Sequence, residues 1–169
     1  VSDHGTHLGD LQKQTFYEQV ATVPFFFWSP ERTRNGVRLK TPVNTMSMLP
    51  SLAELAELKA PKTEAQSLAD CLRTGHEPPP TPVFSEIAFG YQGYRDQDRQ
   101  VMVRDRRYKM SRFLDPHATE PQSEPDGALY DLQRDPGETR NLFTDPAHRP
   151  IRIRMEQIIR DWDRGRHSA

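Results

Sequence analysis

The sequence predicts an α/β fold followed by a small antiparallel sheet with a C-terminal helix. A continuous apolar run over residues 20–28 lacks the alternation of a half-exposed strand, which is typical of a strand covered on both faces. Three further strand candidates at residues 83–89, 100–113 and 128–132 are joined by segments rich in Gly, Asp and Pro, which favours antiparallel pairing. Apolar residues at helical spacing over residues 149–164 predict a helix that covers this sheet.

Size and charge exclude several classes of protein. The 169 residues suffice for one domain, or for a domain with a smaller appendage. A net charge of −1 supplies no general field for nucleic acid, so we expect no nucleic-acid partner. The longest apolar run is far below the roughly 20 residues that cross a bilayer, so we expect no membrane span. The single cysteine excludes an internal disulfide and a cysteine-based zinc site.

Short helices are predicted on either side of the turn-rich segments in the first half of the chain. Thr15-x-x-Glu18 fits a capping box that opens a helix just before the apolar run. A second helix is predicted over residues 44–58 and a third between Ser67 and Gly75. The second helix has an apolar face made of Met48, Leu49, Leu52, Leu55, Ala56 and Leu58.

A stiff run of three prolines, residues 78–80, predicts a subdomain boundary near Pro80. It divides residues 1–80, the α/β part, from residues 81–169, the small antiparallel subdomain. Within the second part, Asp135-Pro136-Gly137-Glu138 is a turn signal flanked by apolar residues that can dock on the sheet. We therefore expect this segment to serve the fold rather than catalysis.

The strongest candidate for chemistry is the tripeptide Asp3-His4-Gly5, with Lys13 a few residues later. In a loop, an adjacent carboxylate and imidazole can converge on one cation. The alternative is a turn in which Asp3 caps a local amide. Lys13 can supply a point charge to an oxyanion or lie in solvent. His7 can join Asp3 and His4 or be exposed.

The remaining histidines and the cysteine form no ligand pattern. Cys71 lies in Asp70-Cys71-Leu72-Arg73, which we interpret as a small buried hydrophobic residue on a helix. The histidines with no ligand spacing are His76, His117, His148 and His167.

The motifs occur in a characteristic order. The first half has Ser2-Asp3-His4-Gly5, Leu8-Gly9, Lys13 ahead of Tyr17-Glu18, Val23-Pro24, Met48-Leu49-Pro50-Ser51-Leu52 and Ser67-Leu68 to Gly75. The second half has Arg106 to Lys109 and the segment Leu129-Tyr130-Asp131-Leu132 through Asp135-Pro136-Gly137-Glu138 to Asn141-Leu142. In this order they resemble the sulfatase family of the alkaline phosphatase superfamily.

The resemblance implies a fold and a set of site residues. Residues 1–80 would be the C-terminal part of an alkaline-phosphatase-like α/β sandwich, and residues 81–169 the small subdomain that follows it. Asp3 and His4 would occupy the late pair of metal-ligand positions, and Lys13 would contact the sulfate group. Calcium is the family's usual cation. Position 4 is often Asn in the family, and an imidazole is a softer donor than calcium prefers, so Mg²⁺ or another divalent cation stays open.

The family's nucleophile is a formylglycine made from a Cys-x-Pro-x-Arg motif near the beginning of the protein. That motif and two early Asp ligands are absent from this chain, and Cys71 lacks the required Pro and Arg. We therefore expect the nucleophile in preceding sequence and expect this chain alone to be inactive. The parent enzyme would hydrolyse a small-molecule or carbohydrate sulfate ester.

Two alternatives remain. Relatives in the same superfamily that cleave phosphodiesters or phosphonate monoesters share the Asp-His-Gly element. The position of Lys13 ahead of Tyr17-Glu18 favours a sulfate ester as the substrate over these alternatives. The chain could also be a non-catalytic accessory or binding module.

Overall fold

The computed structural model describes residues 4–5, 15–60, 62–89, 98–114 and 127–167. In chain order the helices are α1 (Glu18–Ala21), α2 (Met48–Leu55), α3 (Ala69–Thr74) and α4 (Arg149–His167), and short 3-10 turns at Thr45–Ser47 and Pro146–His148 precede α2 and α4. The strands are β1 (Val83–Phe89), β2 (Asp98–Arg104), β3 (Tyr108–Phe113) and β4 (Gly127–Asp131). No helix in these ranges is long and apolar enough to cross a membrane.

The four strands form one antiparallel sheet in the order β1-β2-β3-β4. The predicted strand over residues 83–89 is confirmed, and the predicted strand over residues 128–132 begins and ends one residue earlier. The single strand predicted over residues 100–113 is wrong, because it is two strands. Asp105 closes the turn between them, since its Oδ1 accepts hydrogen bonds from the backbone amides of Arg107 and Tyr108.

Helix α4 covers one face of this sheet, as the sequence predicts. Its fully buried residues Met155 and Ile159 pack into a core with strand residues and the segment after β4, and Trp162 stacks on Phe84 with ring centroids 4.8 Å apart. Ile153, which was expected on the packed face, is instead exposed. The other buried members of the core are Val101, Val103, Met110, Leu129, Leu142 and Phe143.

Helices α2 and α3 are joined by a buried serine. The hydroxyl of Ser51 donates to the backbone oxygen of Ser47 and accepts from the amide of Leu68 at 2.8 Å. This contact turns the small residues of α2 inward, so the apolar face predicted for this helix is partly wrong. Leu55 is buried as expected, but Leu49, Leu52 and Leu58 are exposed. The boundary predicted near Pro80 lies between α3 and β1 and stays a prediction.

The strand predicted over residues 20–28 is not formed. Val20 belongs to α1, and in the described part of the chain no strand pairs with the segment that follows. Phe26 and Trp28 are therefore 74% and 83% exposed. The prediction of a strand covered on both faces is therefore wrong, because Val23, Phe25 and Phe27 are partly buried while the residues between them are exposed.

Candidate functional site

His4 is the one predicted site residue within the described ranges, because Asp3 and Lys13 lie outside them. The imidazole is partly buried, and its Nδ1 lies 2.7 Å from the backbone oxygen of Gly5. Since a carbonyl oxygen can only accept, the proton of a neutral imidazole belongs on Nδ1 in this contact. The lone pair is then on Nε2, which is the form of histidine that binds metals.

Gly5 fixes the position of this loop against α1. Its amide donates to the backbone oxygen of Val20 at 2.8 Å. A Cβ added at Gly5 would lie 1.8 Å from the backbone oxygen of Gln19, a distance that no side chain tolerates. Gly5 therefore permits a close approach between two backbones.

The donors near His4 fit part of a cation shell. Within the described ranges, no group of three or more His, Cys, Asp and Glu side chains is close enough to hold a metal ion. His4 offers a neutral nitrogen, and the adjacent Asp3 would add a carboxylate, a pair that suits a divalent cation. The remaining ligands would have to come from outside the described residues.

A buried lysine lies at the centre of a charge cluster that the sequence analysis missed. The side chain of Lys109, on β3, is 2% exposed. Its Nζ donates to the backbone oxygen of Phe16 at 2.6 Å and to Oε1 of Glu18 at 3.2 Å, and it forms an ion pair with the buried carboxylate of Glu138. The ammonium group therefore has two hydrogen-bond acceptors and one further ion-pair partner.

Glu18 extends this cluster in two directions. Its Oε2 accepts from Nη1 of Arg104 at 2.8 Å, and its backbone amide donates to Oε2 of Glu138 at 2.6 Å. The capping box predicted from Thr15-x-x-Glu18 is therefore wrong, because the N-cap residue is Tyr17, whose side chain makes no capping hydrogen bond, and Glu18 instead faces the charged groups of the sheet. We call Lys109, Arg104, Glu18 and Glu138 the Lys109 cluster; its two cations balance its two anions.

The segment after β4 has the structural role that was expected of it. Oδ1 of Asn141 accepts from the amides of Leu129 and Phe143, at 3.0 and 2.9 Å, and its Nδ2 donates to the backbone oxygen of Gly127 at 3.2 Å. One side chain thus closes the segment against β4.

A second ion pair secures the start of the same segment. Nε and Nη2 of Arg107 donate to the buried carboxylate of Asp131, at distances down to 2.7 Å. The hydrogen bond from this guanidinium holds the pKa of Asp131 below its ordinary value.

The remaining candidates from the sequence do not join His4 in a ligand group. Cys71 is buried on α3, as predicted, and its pKa is raised by burial first and then by the charge of Asp70. Nδ1 of His148 lies 3.2 Å from Oδ2 of Asp145, and His76 is exposed. His7, His117 and the side chain of His167 lie outside the described residues.

A cavity of about 440 Å³ borders the unpaired apolar segment. Its walls combine the phenylalanines of residues 25–27 and Trp28 with the polar turn around Gly36 and with Leu68 and Leu72 near α3. The cavity is therefore a groove of mixed polar and apolar lining along the segment that the sequence predicts to be a covered strand.

Comparison with known proteins identifies the family. The sequence profile of the family described as "N-sulphoglucosamine sulphohydrolase, C-terminal" matches residues 5–164. The chain belongs to this family. A Delta 4,5-hexuronate-2-O-sulfatase of Bacteroides thetaiotaomicron is 31% identical over 175 residues, which cover 96% of this chain and 33% of that protein. A sulfatase of Formosa agariphila is 29% identical, with 95% and 32% covered. This sulfatase C-terminal chain thus spans about a third of the length of these curated relatives.

Solved structures agree with the sulfatase assignment. A 2-O GAG sulfatase superposes with a TM-score of 0.70 at 29% identity, covering 88% of this chain and 31% of that one. The phosphonate monoester hydrolase of Agrobacterium radiobacter gives a TM-score of 0.55 at 23% identity, covering 72% and 24%, which shows a shared fold only. The predicted fold class and the resemblance to the C-terminal portion of sulfatases are confirmed.

Proposed function

We propose that this chain is the C-terminal part of a divalent-metal-dependent sulfatase that hydrolyses sulfate esters of carbohydrates. The observation that carries the proposal is the docking of the His4–Gly5 loop on α1 in a chain whose family match begins at residue 5. That contact is backbone to backbone and excludes any side chain at position 5. The loop is therefore built to hold His4 in one place.

Each residue of the proposed site has a separate task. Asp3 would contribute a negative charge to the cation, and His4 would contribute Nε2 while the contact between its Nδ1 and the backbone oxygen of Gly5 orients the ring. A bound divalent cation would draw charge from the sulfate oxygens. Lys13 would supply an ammonium where negative charge grows on the departing oxygen as the S–O bond breaks. The nucleophile, a formylglycine, would come from sequence outside this chain.

The choice of cation follows from the donors. A carboxylate suits calcium, which we propose as the bound ion, whereas the imidazole of His4 is also acceptable to softer divalent cations. Titration of the complete polypeptide with Ca²⁺ and with Mg²⁺ distinguishes these ions. Equal and weak responses to both would contradict a calcium site.

Carbohydrate sulfates are the proposed substrate class because two relatives are described as acting on them. One is a hexuronate-2-O-sulfatase, and the other is a 2-O GAG sulfatase. A 2-O-sulfated uronate is therefore the first substrate to assay.

The exposed apolar residues indicate that further sequence of the same enzyme covers them. Phe26 and Trp28 are largely exposed beside the groove that they line, and Leu49 and Leu52 are exposed on α2. Large exposed apolar patches usually mark surfaces that another protein segment covers. The length of the relatives, about three times that of this chain, leaves ample sequence for this cover.

A phosphonate monoester or phosphodiester hydrolase of the same superfamily is the second candidate. It is supported by the fold likeness to the Agrobacterium radiobacter enzyme, which covers less of the chain at lower identity than the 2-O GAG sulfatase does. The sulfatase proposal is the better supported of the two.

The test is an assay of the complete polypeptide that contains this chain. We expect release of inorganic sulfate from an unsaturated 2-O-sulfated uronate disaccharide and no comparable turnover of a phenyl phosphonate ester. Lys13→Met should lower kcat by about 10² to 10³, the usual cost of removing one donor to a developing oxyanion. His4→Ala should weaken cation binding as well as kcat.

Two exposed residues provide matched controls. Lys62→Met removes an exposed lysine and His76→Ala an exposed histidine, and both should leave turnover unchanged. A preference for the phosphonate ester would support the second candidate. Absence of hydrolysis of every ester, with the complete polypeptide folded and loaded with cation, would instead favour an accessory or binding module.

A further inference from the structure

We propose that the Lys109 cluster is a positioning device for the active site: from the C-terminal sheet it holds Phe16 and α1, on which the His4–Gly5 loop docks, and the predicted site residues Asp3, His4 and Lys13 belong to this part of the sequence. This inference rests on the proposed function for the roles of those three residues. The contacts that hold the segment are observed independently of that function.

The cluster joins parts of the chain that are distant in sequence. Lys109 lies 93 residues from Phe16 and 91 from Glu18 along the chain, yet its Nζ bonds to both. Glu138 reaches the same point from the turn after β4. The segment that contains Phe16 and Glu18 is therefore attached to the C-terminal sheet through one compact set of charged groups.

Both ends of the segment around the predicted site are fixed by this arrangement. At one end, Gly5 is hydrogen-bonded to Val20 in α1, the helix that starts at Glu18. At the other end, the backbone oxygen of Phe16 is held by Lys109. Asp3 and His4 immediately precede Gly5, and Lys13 lies three residues before Phe16. A shift of α1 would therefore displace Gly5, and a shift of Lys109 would displace Phe16.

The cluster has features that stability alone does not require. Buried ion pairs are often no more stabilising than well-packed apolar residues, so their retention favours a role in geometric specificity. Glu138 also has a φ of 55°, a conformation that non-glycine residues seldom adopt. Strain is thus tolerated at the residue whose carboxylate meets both Lys109 and the amide of Glu18.

The test compares two cluster variants of the complete polypeptide with a control from the same sheet. Lys109→Met removes all three donors but keeps a long side chain, and Glu138→Gln removes one charge with little change of shape. Arg107→Met, the control, breaks the ion pair with the buried carboxylate of Asp131, which is not part of the Lys109 cluster. Hydrogen exchange of the peptide spanning residues 4–22, Ca²⁺ affinity by calorimetry and kcat are measured below the melting temperature of every variant.

Both cluster variants should increase hydrogen exchange at residues 4–22. Lys109→Met should weaken Ca²⁺ binding and lower kcat by about 10- to 100-fold, as supporting residues of metal sites typically do. Glu138→Gln, which we expect to fold even where Lys109→Met does not, should show a smaller loss in the same direction. Arg107→Met should lower thermal stability while leaving Ca²⁺ affinity and kcat within about twofold of wild type.

Three results separate the inference from the proposed function. Unchanged exchange at residues 4–22 in folded Glu138→Gln would overturn the inference. So would increased exchange with wild-type Ca²⁺ affinity and kcat, because the cluster would then serve stability only. A wild-type polypeptide that binds Ca²⁺ but hydrolyses no sulfate ester would overturn the proposed function, and the exchange and affinity measurements would still decide the inference.

Discussion

Replacing Asn141 by alanine should destabilise the small subdomain substantially. The side chain satisfies the amides of Leu129 and Phe143 and the backbone oxygen of Gly127. Leu129 is fully buried and Phe143 nearly so, hence their amides cannot turn to water after the change. An unsatisfied buried donor costs about 1–3 kcal/mol, so two of them should lower the free energy of unfolding by about 2–6 kcal/mol.

For a chain of this length, that loss corresponds to a fall in Tm of about 4–24 °C. Thermal unfolding followed by circular dichroism, together with urea titration, measures both quantities. Asn141→Asp retains the two acceptor contacts and gives up only the donation to Gly127, so it should be less destabilising than alanine. Gln133→Ala, which truncates an exposed amide in the neighbouring turn, is the control and should be nearly neutral.

The reasoning would be refuted by either of two results. The free energy of unfolding of Asn141→Ala could lie within about 0.5 kcal/mol of the wild-type value, which is the usual range for a surface substitution. Alternatively, the aspartate and alanine variants could be equally unstable, which would mean that the two accepted hydrogen bonds do not account for the effect.

Three further predictions concern acid, glycine and thiol chemistry. Because Arg107 lowers the pKa of Asp131 in the folded chain, their contribution to stability is complete above the ordinary Asp pKa of about 4 and is lost as the pH falls through the lower folded value. Asp131→Asn should therefore flatten the dependence of Tm on pH below about 4; an unchanged slope contradicts this. A Cβ at Gly127 would lie 2.6 Å from both a ring carbon and a backbone oxygen, whereas one at Gly165 in α4 meets nothing within 4 Å. Urea titration should show that Gly127→Ala destabilises by about 1–3 kcal/mol and Gly165→Ala stabilises by up to about 1 kcal/mol, and effects of the same sign would refute the contrast. Cys71 should react with Ellman's reagent at least about tenfold more slowly in the native chain than in urea, because burial raises its pKa and blocks access; rapid native labelling would contradict this.

Local patterns in the sequence predicted most of the small subdomain. β1 has the predicted bounds, and α4 begins at Arg149 as expected and extends three residues beyond the predicted end. These elements bury one face against a sheet formed by neighbouring segments, so the periodicity of their apolar residues is sufficient to locate them. The turn at Asp105 was missed because the four consecutive charged residues at the centre of the run, 104–107, include neither Gly nor Pro, the strongest turn signals.

The segments that depend on distant partners were predicted less well. Residues 22–28 have the composition of a covered strand, but composition does not reveal which segment pairs with them, and Phe26 and Trp28 are exposed. Glu18 shows the same difficulty at the level of a single residue. Its spacing from Thr15 fits a local cap, whereas its actual partners are Lys109, Arg104 and Glu138, far along the chain.

The Lys109 cluster gives one physical explanation for three of the motifs that suggested the family. Glu18 follows Tyr17 in the first motif, Lys109 ends the second and Glu138 ends the turn in the third, and all three meet at a single buried ammonium. Examined separately, each motif has a different local interpretation: a cap, a strand and a turn. A lone lysine or glutamate in a polar sequence is normally solvated, so no local rule predicts its burial. The joint occurrence of three weak motifs was informative because they form one contact, and this contact links the sheet to the proposed site.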